Sequence, residues 1–117
     1  MTSSMAYHSR PYSEMERFWD ELMAWSDATF GTPAERGPLG PLKHLLKEIE
    51  QEVIPNPTDL IEYVDCLFLV LDATRRAGFT YDQLMEGAFA KLIINKTRTW
   101  PKPKGADQPI EHDRSKD

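Results

Sequence analysis

The feature that most constrains the fold is a set of four stretches in which apolar residues recur at helical spacing, separated by proline and glycine clusters. In the first stretch Met15, Phe18, Leu22 and Trp25 follow the spacing of one face of an α-helix. No alternation typical of β-strands rises above this pattern. The chain of 117 residues is long enough for one domain with a buried core. The sequence therefore predicts an all-α fold, a four-helix bundle-like domain.

Capping and helix-breaking residues predict where the helices begin and end. Ser13 with Glu16 forms a capping-box signature for the first helix, and Pro41 favours the start of the second. Thr58 or Asp59 can cap the third helix. The predicted helices cover residues 13–29, 41–54, 59–77 and 81–98. The predicted organisation is a flexible arm, a helical domain and a polar tail, at residues 1–12, 13–100 and 101–117.

Charge and composition narrow the classes of function and the compartment. The formal charge of −5 argues against a nucleic acid polymer or an anionic membrane as the partner. The lone cysteine, Cys66, cannot form an internal disulfide, which is typical of a reducing compartment. The longest apolar run, residues 66–71, is far too short to cross a bilayer. The sequence therefore predicts a cytoplasmic protein without a membrane span.

Two pairs of acidic residues lie on consecutive predicted helices. Glu48 and Glu52 are four residues apart on the second helix, and Glu62 and Asp65 are three apart on the third, so each pair shares a helix face. Four converging carboxylates would repel one another unless a hard divalent cation neutralised them. For either pair alone, a solvated acidic surface is the better explanation, because charge runs usually form solvated faces. The two pairs together make a metal site as plausible as that surface.

A polar strip follows on the fourth predicted helix. Lys91, Asn95 and Arg98 occupy positions i, i+4 and i+7, on one face near the carboxyl end of the helix. Cations at that end complement the helix dipole, which is one explanation. The other is a polyphosphate clamp, with lysine as a point charge, arginine as a bidentate fork and asparagine as an orienting donor.

Taken in order, these segments resemble the MazG-type all-α nucleoside triphosphate pyrophosphohydrolases, and most closely the dATP/dGTP diphosphohydrolase branch. The resemblance spans about residues 18–112. It implies Mg²⁺ or Mn²⁺ held by the acidic pairs, and hydrolysis of dGTP or dATP between the α- and β-phosphates to the monophosphate and pyrophosphate. It also implies a homodimer or homotetramer. The matching segments are Glu48 with its neighbours, Glu62-x-x-Asp65, and Lys91-x-x-x-Asn95-x-x-Arg98-x-Trp100-Pro101.

One position departs from the family pattern. The family has a second glutamate three residues after the first, whereas this chain has Gln51 there and Glu52 immediately after it, as if one residue had been inserted. Either Glu52 supplies the ligand after a local shift, or Gln51 occupies the position and binds metal more weakly. The helical wheel favours Glu52, because it lies on the same side as Glu48. The expected ligands are Glu48, Glu52, Glu62 and Asp65.

The resemblance and the residues together suggest a division of roles. Glu48 is the expected general base, and Lys91 and Arg98 are expected to stabilise charge on the β- and γ-phosphates. Among the aromatic residues of the first helix, Trp19 is our candidate for contact with the base, although aromatics at helical spacing are more often core.

Two other classes compete with this interpretation. One is a noncatalytic helical interaction module, in which the acidic faces are solvated and the surplus apolar surface forms a dimer interface. The other is a di-iron bundle, which favours Glu-x-x-His motifs. Neither Glu48 nor Glu62 has a histidine three residues later, which argues against the di-iron class.

Overall fold

The computed structural model describes residues 11–102 and 104–116. These residues form four α-helices and no β-strand, which confirms the predicted all-α fold. They divide into two compact units, one ending at Tyr81 and one beginning at Asp82. The arm predicted for residues 1–12 lies almost wholly outside the described residues. The helices are α1 (Glu14–Phe30), α2 (Leu39–Glu48), α3 (Leu60–Arg76) and α4 (Tyr81–Thr97).

Side-chain caps begin α1 and α3 where the sequence places them. The Ser13 hydroxyl accepts a hydrogen bond from the Glu16 amide at 3.0 Å, and the Asp59 carboxylate accepts one from the Ile61 amide at 3.2 Å. Each bond satisfies an amide that has no partner within the helix. The predicted starts of these two helices are confirmed.

The start of α2 lies two residues before the predicted one. The helix begins at Leu39, and Pro38 is its N-cap residue. Pro41 therefore occupies the third helical position. Proline is tolerated there because the first four amides of a helix need no intrahelical acceptor. Proline marks the first turn of a helix without specifying its position within that turn.

The core of the first unit lies between α1 and α3. Trp19, Leu22 and Met23 of α1 are buried, as are Leu71 and Ala73 of α3. The rings of Phe18 and Phe68 extend the same contact, with centroids 5.4 Å apart. α2 packs against α3. Glu48 near the end of α2 meets residues near the start of α3, so these two helices run antiparallel.

The second unit contains most of α4 and the segment that follows it. The Trp100 indole N–H donates to the Asn95 carbonyl at 2.8 Å, and the Trp100 ring lies 5.7 Å from the His112 ring. The Asp113 amide donates to the Thr99 carbonyl at 2.6 Å. Residues near 112 therefore pack beside the end of α4. No helix in the described part of the chain has the length and apolarity needed to span a membrane.

Candidate active site

Three carboxylates meet where the end of α2 approaches the start of α3. Glu48, Glu62 and Asp65 each offer an oxygen, and these oxygens all lie within 4.8 Å of one another. Glu48 and Glu62 are half-buried. Half-buried carboxylates this close repel one another strongly, and oxygen ligands of this kind suit Mg²⁺ and Mn²⁺. We call these three residues the acidic cluster.

The electrostatics of Glu62 reflect this crowding. Partial burial raises the pKa of the Glu62 carboxyl above its ordinary value, and the negative charges of Glu52 and then Glu48 raise it further. Burial likewise raises the pKa of the neighbouring Cys66 thiol, with the charge of Glu48 as the next cause. Glu52 is therefore close enough to act on Glu62, although it lies outside the acidic cluster and is exposed.

A π-helical turn at Ile49–Val53 carries Glu52 and directly continues α2. The Ile54 amide donates to the Ile49 carbonyl at 3.0 Å, five residues back instead of four. Each π-turn takes in one residue more than an α-turn, and such turns occur frequently at functional sites. The turn lies where the sequence contains the extra residue between Glu48 and Glu52.

A pocket of about 330 Å³ opens beside the acidic cluster. Glu48 and Asp65 line one end of it. Apolar and aromatic side chains also line it: Leu22, Trp25, Phe30, Phe68 and Leu69. The rings of Trp25 and Phe30 meet edge to face, with centroids 5.4 Å apart. A concave, largely apolar pocket with a few polar groups is typical of small-molecule sites.

A buried polar network closes the far end of the pocket. The Arg76 guanidinium donates to Asp72 and to the Ser26 hydroxyl, each at 2.9 Å. It also donates to the carbonyls of Gly31 at 2.8 Å and Arg36 at 3.0 Å. The Ser26 hydroxyl donates to Asp72 at 2.9 Å. This network joins α1, the α1–α2 loop and α3.

A match to a known family identifies the class of protein to which this chain belongs. The family described as dATP/dGTP pyrophosphohydrolase matches residues 18–116. The chain belongs to the dATP/dGTP pyrophosphohydrolase family. This confirms the predicted MazG-type class of nucleoside triphosphate pyrophosphohydrolase, and the comparisons give no support to the noncatalytic module.

Two proteins are similar to this pyrophosphohydrolase family member, one in structure and one in sequence. A solved structure of the cyanophage S-2L MazG-like pyrophosphohydrolase, bound to dGDP and three catalytic Mn²⁺ ions per active site, is 29% identical. The match covers 86% of this chain and 98% of that one, with a TM-score of 0.66. The Eaa protein of Salmonella phage P22 is 45% identical over 101 residues, which are 86% of this chain. The chain spans only 31% of that relative's length.

The remaining predicted site residues of this family member lie outside the acidic cluster. Trp19 is buried in the core, with its ring 5.9 Å from Tyr81, and does not line the pocket. Lys91 and Asn95 lie on α4, and Arg98 follows its last residue. No hydrogen bond from a described residue reaches the buried Oδ1 of Asn95. Substrate contact by these four residues stays a prediction.

Two residues whose polar side chains line the pocket outside the Arg76 network, His44 and Arg36, were not among the predicted site residues. His44 lines the pocket, and its Nε2 lies 3.8 Å from the Glu48 carboxylate. Its position four residues before Glu48 is a signal that points to the same helix face. Arg36 also lines the pocket but comes from the α1–α2 loop, where helical periodicity gives no signal.

Proposed function

We propose that this chain is a divalent-metal-dependent pyrophosphohydrolase that converts dGTP or dATP to the monophosphate and pyrophosphate. The observation that carries the proposal is the acidic cluster, whose oxygens lie within 4.8 Å of one another beside a pocket of nucleoside-binding character. Family membership supports the reaction class. The similar cyanophage enzyme, bound to dGDP and Mn²⁺, supports the choice of ligand and metal.

The donor set fits Mn²⁺ or Mg²⁺. Glu48, Glu62 and Asp65 provide hard oxygen donors. Burial, and then the negative charges of Glu52 and Glu48, raise the pKa of Glu62, and a cation would neutralise those charges. A divalent ion bound there supplies positive charge to phosphate oxygens and makes a water molecule easier to deprotonate.

We assign the fourth ligand to Glu52 in preference to Gln51. In a π-turn the fourth residue falls nearer to the rotational position that the third residue has in an α-helix. Glu52 would thus take the place of the family's second glutamate. The influence of Glu52 on the pKa of Glu62 supports its proximity to the acidic cluster.

Glu48 is the proposed general base. It is half-buried at the edge of the pocket, and His44 beside it can hold its carboxylate in position. Glu48 accepts the proton of the attacking water, the water oxygen bonds to the α-phosphorus, and the bond from the α-phosphorus to the bridging oxygen breaks. Pyrophosphate carries away the electron pair of that bond.

The substrate contacts are proposed from helix position and pocket lining. Lys91 and Asn95 share one face of α4 by their spacing, and Arg98 directly follows the helix. No described residue donates to Asn95 Oδ1, which supports a ligand-binding role for this side chain. Trp25 and Phe30 line the pocket and are candidates for stacking on the base. They are candidates in addition to Trp19, which the sequence suggested.

We further propose a homodimer or homotetramer in the cytoplasm. α4 exposes large apolar side chains, including Phe89 and Ile93, each 64% exposed. Apolar patches of this kind mark protein contacts, and a second copy of the chain is the expected partner. The single cysteine supports a reducing compartment.

One panel experiment tests the activity. Ribo- and deoxyribonucleoside triphosphates are incubated with Mg²⁺ or Mn²⁺, and pyrophosphate is measured. We expect release from dGTP or dATP, loss of release in Glu48→Gln, and near-normal release in the control Glu50→Gln, whose exposed side chain is on the other flank of the helix. No pyrophosphate from any nucleotide would favour the interaction module.

A further inference from the structure

Arg36 is the only cation of the α1–α2 loop, and its guanidinium reaches the pocket. A Cβ added to Gly40 would lie 2.7 Å from Arg36 Nη2, so the absence of a side chain at Gly40 makes room for the guanidinium at the start of α2. Among the described residues no ion pair or hydrogen bond engages this guanidinium. Its donors are therefore available to a ligand.

The backbone of Arg36 is held firmly although its side chain is exposed. Its amide donates to the Thr32 carbonyl at 2.9 Å, and its carbonyl accepts from Arg76 at 3.0 Å. The loop begins at Gly31, whose φ of 100° is a conformation that residues with side chains rarely adopt. The guanidinium thus extends from a backbone that hydrogen bonds hold in place, which limits the directions in which the side chain can point.

The pocket places Arg36 at the end opposite the acidic cluster. Gly40 and Glu48 are eight residues apart on one helix, which corresponds to about 12 Å at 1.5 Å per residue. A nucleotide with its phosphates at the acidic cluster would direct its base past Trp25 and Phe30 towards Arg36. The other cation at this end, Arg76, already uses its donors on protein acceptors.

We propose that Arg36 is a specificity-determining residue that favours guanine over adenine. A guanidinium can donate two parallel hydrogen bonds to O6 and N7 of guanine, whereas adenine presents an amino donor where guanine has O6. Only guanine would thus present two acceptors to the guanidinium of Arg36. This proposal rests on the proposed function and names its preferred substrate, dGTP.

Steady-state hydrolysis of dGTP and dATP tests the proposal in three variants. Arg36→Gln should lower the ratio of kcat/KM for dGTP to that for dATP by at least about 5-fold, the lower bound expected of a bidentate base contact. Arg36→Lys should lower the ratio by less than Arg36→Gln does, because an ammonium can still donate to O6 and N7 but lacks the planar bidentate fork. The control Arg17→Gln, on an exposed surface of α1, should leave the ratio unchanged.

Binding of the products dGMP and dAMP, measured by calorimetry with Mn²⁺, gives a readout that needs no turnover. The preference for dGMP should fall in both Arg36 variants. An equal loss of affinity for dGMP and dAMP that Arg36→Lys restores would assign Arg36 to a phosphate and overturn the proposal. An unchanged ratio of the two affinities would also overturn it. Wild-type protein that hydrolyses neither nucleotide would instead refute the proposed function itself.

Discussion

Arg76 provides the sharpest test of what holds the pocket together. Its side chain is 1% exposed and makes four hydrogen bonds that join α3 to α1 and to the α1–α2 loop. Arg76→Met removes all four and leaves the Asp72 carboxylate at a buried position with Ser26 and a more distant Arg75, 3.8 Å away. Loss of one partner from a buried ion pair costs about 3–5 kcal/mol, out of a total stability of about 5–15 kcal/mol for a domain.

We take the lower end of that range, about 3 kcal/mol, because Ser26 and Arg75 still contact Asp72. With a urea m-value of about 1.5 kcal/mol/M, the midpoint of urea unfolding should fall by about 2 M. The measurement is urea unfolding followed by circular dichroism at one protein concentration, in EDTA.

The matched control is Arg17→Met, which removes a surface ion pair with Glu21 whose side chains are 62% and 69% exposed. Exposed pairs contribute about 0–1 kcal/mol, so this variant should unfold almost as the wild type does. The double variant Asp72→Leu/Arg76→Met should lose less stability than Arg76→Met alone, because no charge is then left without its partner. Equal stability of Arg76→Met and Arg17→Met would refute the role assigned to the network.

Four further variants test the acidic cluster and its neighbours Gln51 and Glu52. Asp65→Asn should nearly abolish turnover without changing helical content by circular dichroism, and wild-type pyrophosphate release from it would remove Asp65 from the site. In EDTA at pH 8, Glu62→Gln should raise Tm, because the raised pKa of Glu62 means that folding disfavours its charged form. That gain should shrink as the pH falls through the raised pKa of the folded state, and it should vanish below the ordinary pKa of the unfolded chain, where the carboxyl is protonated in both states. A lower Tm at pH 8 would contradict this reasoning. Glu52→Gln should weaken Mn²⁺ binding in calorimetry more than Gln51→Ala does, and the reverse order would assign the ligand to Gln51.

Local signals in the sequence were sufficient for most of the fold. Ser13 and Asp59 cap their helices through bonds to amides two or three residues away, so the starts of α1 and α3 could be predicted. The spacing of Glu62 and Asp65 similarly placed both on one face of α3. Such features depend on neighbours along the chain, which periodicity and capping rules describe directly.

The features that escaped prediction depend on unusual backbone or on distant contacts. The insertion before Glu52 was evident from the sequence, but the π-turn that accommodates it was not, because short-range rules assume α-helical spacing. Arg36 enters the pocket because Arg76, 40 residues later, binds its carbonyl. No local pattern predicts a contact of that range. Trp25 belongs to the apolar stripe of α1, so in sequence alone it resembles a core residue.

The central claim is that water attacks the α-phosphorus of a deoxypurine triphosphate at the acidic cluster. The most direct measurement is turnover of dGTP in ¹⁸O-labelled water with Mn²⁺, followed by mass spectrometry of the products. We predict one ¹⁸O atom in dGMP and none in pyrophosphate, and loss of this labelled product in Asp65→Asn. Label in pyrophosphate, or release of orthophosphate and dGDP, would contradict it.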